Sequence, residues 1–261
     1  MSPALQHYVL LFFTCAVFGW VMEVVCKLIQ FHRFINRGFL IGPWCPIYGF
    51  GAVLITLCLS RFEAYPAAVF ALALLLCGTL EYLTSYVMEK LFHARWWDYS
   101  QKPFNLNGRV CAGTLIPFGL LGLLLIYGVR PLLFGLFDRL SPGVSLGLCI
   151  GLTVLFLSDS VISVFVLGKI RKTAELQTGD NTEALTRLVR EKLMRDSALL
   201  RRTLRAFPYA RLYNRRLLTD VKAAQRRVKE NVKAAGAQMR KEMESREQKL
   251  REELRARRRK G

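Results

Sequence analysis

Residues 143–167 read GVSLGLCIGLTVLFLSDSVISVFVL, an unbroken apolar stretch in which Asp159 is the one charged side chain. A helix of about 20 mostly apolar residues crosses a hydrocarbon core about 30 Å thick, so this stretch predicts a transmembrane span. Working outward, four further runs have the same character: 8–30, 44–60, 66–88 and 110–128. The second and fourth contain Gly and Pro (Pro46, Gly49, Gly51; Pro117, Gly119, Gly122), which membrane helices tolerate because neighbouring helices satisfy the freed backbone groups. A short run at 132–137, between Pro131 and Asp138, is too short to span and is expected at the interface. The expected fold is all-α, a polytopic membrane bundle of about five transmembrane helices followed by a basic helical tail, with residues 1–170 as the membrane domain and 171–261 as the tail.

Charge divides at the same place. The 261 residues carry 38 Lys and Arg, 19 Asp and Glu, a net charge of +19 and 52% hydrophobic side chains. Up to residue 167 there are 10 basic and 7 acidic residues, a net of +3; beyond it there are 28 and 12, a net of +16. An apolar block followed by a basic tail excludes a single soluble globular domain, a secreted disulfide scaffold and a collagen-like fibre.

Orientation follows from the short loops, because cytoplasmic loops carry the excess of Lys and Arg. With five spans, one side receives Lys27, Arg33, Arg37, Lys90, Arg95, Lys102, Arg109 and the tail, and the other receives Arg61, Arg130 and Arg139. The expected location is the cytoplasmic (inner) cell membrane, multi-pass, with the N-terminus outside and the C-terminus cytoplasmic. The first run lacks a positive region before it, continues for more than 20 residues and contains Glu23, so it reads as a span and not as a signal peptide. Seven cysteines without a CxxC read as small packing residues, and His7, His32 and His93 have no ligand spacing, so neither a metal nor a cofactor is expected.

Ionisable groups inside a span are costly, by roughly 2.5–3.5 kcal/mol on insertion scales, and are functional candidates for that reason. The block has three: Glu23, Glu81 and Asp159. Each lies about seven or eight residues from the cytoplasmic end of its run, roughly 10–12 Å below that interface. Glu81, Ser85 and Glu89 fall at i, i+4 and i+8 and make one polar stripe, while serines 158, 160 and 163 surround Asp159. These positions predict a polar pocket open to the cytoplasm. The competing reading is structural: each acid pairs with Lys27, Arg37, Lys90 or Arg109 to hold the helices in register. Glu89 taken alone reads as interfacial and solvated.

Two loops on the tail side are unusual. In the first, Asn36, Gly38, Gly42 and Pro43 supply turn chemistry, yet Phe39, Leu40 and Ile41 between them are too apolar for a solvated loop. Such a segment is expected to dip back into the protein, and Asn36, Arg37 and Tyr48 join the candidate residues. In the other, Trp96, Trp97 and Tyr99 fit an aromatic belt at headgroup level, whereas Asp98, Asn105, Asn107 and Arg109 do not and suit a docking surface or pocket lid.

NRGFLIGPWCPIYGFG at 36–51 and WDYSQKPFNLNGRVC at 97–111 resemble the signature segments of a bacterial family of small multi-span membrane proteins labelled Putative ABC-transporter type IV. Glu23 in GWVMEV and Glu81 in GTLEY look like the membrane acids of that family, and the resemblance covers about residues 8–170. It implies an ABC-type permease. The chain contains no G-x-x-x-x-G-K-[ST], so a permease of this kind takes its ATPase from a separate subunit. Five spans are few for such a subunit, and a homo- or hetero-oligomer is expected.

In the tail, Leu185, Leu188, Val189, Leu193, Leu200, Leu204 and Phe207 recur at helical spacing, with Thr182 as a cap and Pro208 as a stop. A narrower seam runs from Leu217 to Met239, and 240–260 is almost wholly charged. Attraction of Lys and Arg to anionic lipid is the simplest role for the tail, with a coiled coil or partner helix second. Nucleic acid is a weaker reading, since no recognition motif accompanies the charge.

The leading expectation is therefore a permease moving a small or amphipathic solute past Glu23, Glu81 and Asp159, with the two loops contacting solute or partner. Two alternatives are a scaffold or regulatory protein acting through its tail, and an enzyme on a lipid headgroup with Glu81 or Glu23 as general base and Arg37 or Arg109 as anion clamp. No nucleophile-and-base set or metal-ligand set supports the enzyme.

Overall fold

The computed structural model describes all residues except 33, 37, 177–181, 208–209 and 213–261. The described residues belong to one unit, Met1–Asn214; the seam and the charged end of the tail lie outside them. The elements are α1 (Pro3–Phe31), α2 (Pro46–Leu59), α3 (Pro66–Phe92), β1 (Ala94–Arg95), β2 (Asn105–Leu106), β3 (Val110–Cys111), α4 (Ala112–Leu124), α5 (Arg130–Phe137), α6 (Pro142–Leu176), α7 (Thr182–Asp196), α8 (Ala198–Ala206) and β4 (Arg211–Leu212). The fold is an all-α membrane helix bundle.

Four helical stretches are long and apolar enough to cross a membrane: Pro3–Gln30, Pro66–Phe92, Ala112–Phe137 and Pro142–Thr173. The fifth expected span is shorter. α2 continues through one 3₁₀ turn to give an apolar helix at Pro46–Phe62, about 27 Å of rise. The run at 132–137 does not stand apart at an interface. A π turn, Leu125–Val129, carries α4 straight into α5, so Pro131 sits in the first turn of α5 and breaks nothing. Residues 112–137 are one continuous helix because the wider π turn before Pro131 accommodates its ring and its missing N–H.

Local chemistry sets the ends. Pro3, Pro46 and Pro66 open their helices, where proline's fixed φ suits the first turn. α1 and α3 stop alike: His32 and His93 adopt the left-handed conformation (φ 52° and 51°), and their N–H groups return to Leu28 and Glu89. Two of the three histidines are therefore helix caps, and each begins one of the two unusual loops.

The helices pack through small residues, as expected where lipid offers no hydrophobic drive to association. A Cβ on Gly49 of α2 would lie 2.6 Å from the carbonyl oxygen of Phe12 on α1. Between α3 and α4 the same closeness recurs: a Cβ on Gly78 would lie 2.4 Å from Leu115, and one on Gly122 would lie 2.3 Å from Ala73. The core between them holds Leu11, Ile55, Val69, Ala73 and Ile126.

This packing yields a paired prediction. Gly49→Ala drives a methyl into a neighbouring backbone and is expected to cost about 1–3 kcal/mol, the usual range for overpacking. Gly147 on α6 has nothing within 4 Å of its would-be Cβ, so Gly147→Ala leaves stability unchanged or raises it. Thermal unfolding of the two variants in detergent separates them. Equal midpoints would contradict the α1–α2 contact.

Candidate functional site

The three membrane acids have different hydrogen-bond partners. They fall into two constellations, with Glu89 in a third.

Asp159 of α6 lies beneath the first loop. Its Oδ1 accepts from the Ile41 N–H at 2.8 Å and from Ser163 Oγ at 3.0 Å; its Oδ2 accepts from the Gly42 N–H at 2.7 Å and from the Trp44 indole at 2.9 Å. The loop has no regular secondary structure at 38–43, so two of its inward backbone donors are satisfied by this carboxylate in place of a ladder. Gly42 is required: a Cβ there would lie 2.2 Å from the Trp44 nitrogen and 2.9 Å from Asp159 Oδ2. Leu40 and Trp44 are buried against Phe13 and Ala16 of α1, which answers the expectation of an inward-turned loop. Asn36 accepts from the Trp20 indole at 2.7 Å and fixes where the loop leaves α1. Arg37 lies outside the described residues.

Glu23 and Glu81 come together across Tyr48. The Tyr48 hydroxyl donates to Glu23 Oε1 at 2.9 Å. Its ring lies against α1 where Gly19 leaves room, since a Cβ on Gly19 would overlap the ring at 2.3 Å. The two carboxylates are close enough for each charge to act on Tyr48, and Glu23 acts on Glu81 directly. Glu81 is 6% exposed. Thr114 Oγ1 lies 3.1 Å from Glu81 Oε2, and the Tyr99 hydroxyl lies 3.5 Å from Oε1, a long contact. Thr114 also accepts from the Cys111 N–H at 3.3 Å, closing the N-terminal cap of α4, so the turn that starts α4 delivers a hydroxyl to Glu81. Among the described residues Glu81 forms no ion pair.

Glu89 was read as solvated; it is paired. Its Oε2 lies 3.0 Å from both Arg95 Nε and Arg109 NH1. Arg109, 8% exposed, also donates to Ser85 Oγ at 3.2 Å and lies over the rings of Tyr82 and Tyr86. The stripe Glu81, Ser85, Glu89 on α3 is real, and its upper two members receive the second loop through one arginine. The rest of that loop is self-braced. Asp98 accepts from the Ser100 N–H, Asn105 accepts from the Gly108 N–H and donates to Lys102, and Asn107 donates to the Tyr82 hydroxyl at 2.9 Å. In this arrangement Asp98, Asn105, Asn107 and Arg109 shape and attach the β2–β3 hairpin.

Thr114, Trp44 and Arg202 have parts that the sequence did not single out, whereas Ser163 was marked by its place beside Asp159. For Arg202, more than 40 residues away in the tail, there was no signal. The described residues contain no group of three His, Cys, Asp or Glu that could hold a metal ion.

A family model described as Putative ABC-transporter type IV matches residues 10–164. This range takes in both loops, all three membrane acids and Tyr48. No curated protein and no solved structure matches the chain significantly.

The Asp159 geometry carries a prediction. Hydrogen bonds to a charged group contribute about 1.5–3 kcal/mol each, and Asp159→Asn turns one acceptor oxygen into a donor facing other donors. Amide exchange at Ile41 and Gly42 is expected to quicken by on the order of tenfold or more, with a smaller effect for Ser163→Ala. Unchanged exchange at those two amides in Asp159→Asn would show that the carboxylate does not hold the loop.

Proposed function

The chain belongs to the Putative ABC-transporter type IV family, and from that premise we propose that it is a membrane permease subunit. It passes a small or amphipathic solute of positive charge, or a coupled proton, across the Glu23–Tyr48–Glu81 cluster. The observation that carries this is Glu81. It sits mid-helix in α3, about 22 Å of rise from one end and 16 Å from the other, is almost wholly buried, and is held by hydroxyls with no base paired to it among the described residues. An acid in that position, next to a second acid from another helix, calls for a positive partner that is not part of the helix framework.

Asp159 takes a different part in this reading. Its four hydrogen bonds assign it to positioning the loop that leads into α2, and so to placing Tyr48. Arg109 likewise belongs to the framework, which weakens the enzyme alternative, since its guanidinium already faces Glu89, Ser85 and two tyrosine rings. The absence of a nucleotide-binding loop in the sequence assigns energy supply to a separate ATPase subunit. A cytoplasmic setting for the two loops and the tail follows from the distribution of Lys and Arg.

The test is uptake or efflux of a cationic amphipathic dye, ethidium, in cells whose only copy is the full chain or a variant. Glu81→Gln and Glu23→Gln keep the shape and remove the charge, and each is expected to lower dye flux by on the order of tenfold, a loss of about 1.4 kcal/mol at the site. Tyr48→Phe should give a smaller loss. If both glutamine variants match the parent while removal of residues 215–261 abolishes the phenotype, the permease reading gives way to a scaffold acting through its tail.

A further inference from the structure

The tail does not simply leave the bundle after α6. α7 and α8 pack on each other through Val189, Leu193, Leu200 and Leu204, all nearly inaccessible. Arg190 of α7 donates to the carbonyls of Leu204 and Phe207, closing the C-terminal end of α8. The chain then turns back, with the Ala210 N–H bonded to the Phe207 carbonyl, and β4 pairs antiparallel with β1, Ala94 opposite Leu212. The end of the described tail thus becomes a strand partner for the start of the second loop.

The same segment holds the first loop. Phe207, 5% exposed, stacks on Phe39 with ring centroids 4.5 Å apart and meets Trp96 edge-on at 5.2 Å, while Phe39 also meets Trp96 at 5.0 Å. One ring from each loop and one from the tail therefore form a closed triangle. Arg202 of α8 donates to the Leu40 carbonyl, the residue before the two amides that Asp159 holds. Burial draws the Arg202 pKa down from the ordinary arginine value, and the nearby Asp159 carboxylate acts the other way.

We propose that α8 with Phe207 and the strand β4 form a clasp: docked, they tie the two loops together above the polar cluster, and undocked, they let the loops part and open that end of the bundle to water. Three features argue for a separable latch and against a fixed part of the core. The segment is a short amphipathic helix whose outer face carries Arg201 and Arg205 in solvent. A break at Ser197, which caps α8 by accepting from the Leu200 N–H, separates it from α7. Its grip on the loops consists of one guanidinium, one ring and a two-residue strand, a set of contacts at one end of the bundle that can be lost together. The buried leucines of α8, Leu200 and Leu204, pack on α7, so the loop contacts can part while α7 and α8 stay together.

Native thiols allow a test that needs no transport assay, so it stands or falls separately from the permease reading. Cys45, 8% exposed, lies under the first loop close to Arg202, whereas Cys149, 2% exposed, packs near Gln6 at the opposite end of the bundle. Full-length protein in permeabilised membranes is labelled with a membrane-impermeant maleimide, and each site is quantified by mass spectrometry. Arg202→Ala and Phe207→Ala are expected to speed Cys45 labelling by on the order of tenfold while Cys149 stays at the parent rate. A Phe39→Cys, Phe207→Cys double variant, once oxidised, should label more slowly at Cys45 than the parent, and reduction followed by desalting should reverse this. Parent-like Cys45 rates in both single variants would overturn the clasp. So would a joint rise at Cys45 and Cys149, which would make the segment part of the folding core, or failure of the double variant to cross-link.

Discussion

The backbone of the first loop turns inward at Ile41 and Gly42, and the side chain that makes this possible is Asp159. A non-repetitive segment pressed against helices has N–H groups that neither a helix nor a sheet can satisfy, and each unpaired buried donor costs about 1–3 kcal/mol. One carboxylate can accept several such donors, and here it takes two amides, an indole and a hydroxyl. Much follows from that contact. It fixes the start of α2, hence the place of Tyr48, hence the bridge between Glu23 and the region of Glu81. It also gives the Arg202 guanidinium a nearby opposite charge when α8 docks on Leu40.

Chemically similar acids thus have three different uses within one small bundle, and their environments separate them. Asp159 is surrounded by donors, which hold the carboxylate in place. Glu89 is neutralised by two arginines and serves as an anchor for the second loop. Glu81 has hydroxyls, which polarise a carboxylate without cancelling its charge, and a second acid within electrostatic reach. Of the three, Glu81 is the one held by neither backbone amides nor arginines among the described residues.

Apolar length, the polar stripe on α3 and the inward character of the first loop were legible in the sequence because each is a local pattern: a run, a spacing of four, a cluster of turn formers around Phe39 and Leu40. What was not legible is pairing between distant positions. Nothing in the neighbourhood of Asp159 says that its partners include backbone amides more than 100 residues earlier, and equal depth in separate helices does not reveal that each acid has its own set of partners. Arg109 left two readings open, a ligand contact or a partner for an acid, because its acceptors, Glu89 and Ser85, lie about 20 residues earlier on α3. Pro131 looked like a boundary, yet the π turn before it lets the helix run on. The docking of α8 was hidden for a related reason: its periodicity announces an amphipathic helix but not which surface receives it.

The placement of α6 shows why polar contacts carry so much of this fold. Only 11% of its most apolar stretch is buried, against 33% for α1, and in lipid a leucine gains little by moving from acyl chains to a neighbouring helix. Apolar matching therefore leaves its depth and rotation weakly determined. Polar fixings act instead. Near one end, Cys149 lies against the Gln6 carbonyl of α1; further along, Asp159, braced by Ser163 of its own helix, binds the loop that follows α1, and Arg171 donates to the Leu91 carbonyl of α3. These contacts set how α6 is turned and how far it is inserted. The same helix then leads into the tail, so the register that Asp159 imposes also decides where α7 and α8 meet the loops. One of the three acids that the sequence offers as pathway candidates thus also aligns, in the folded chain, the element carrying the tail with the segments that the tail grips.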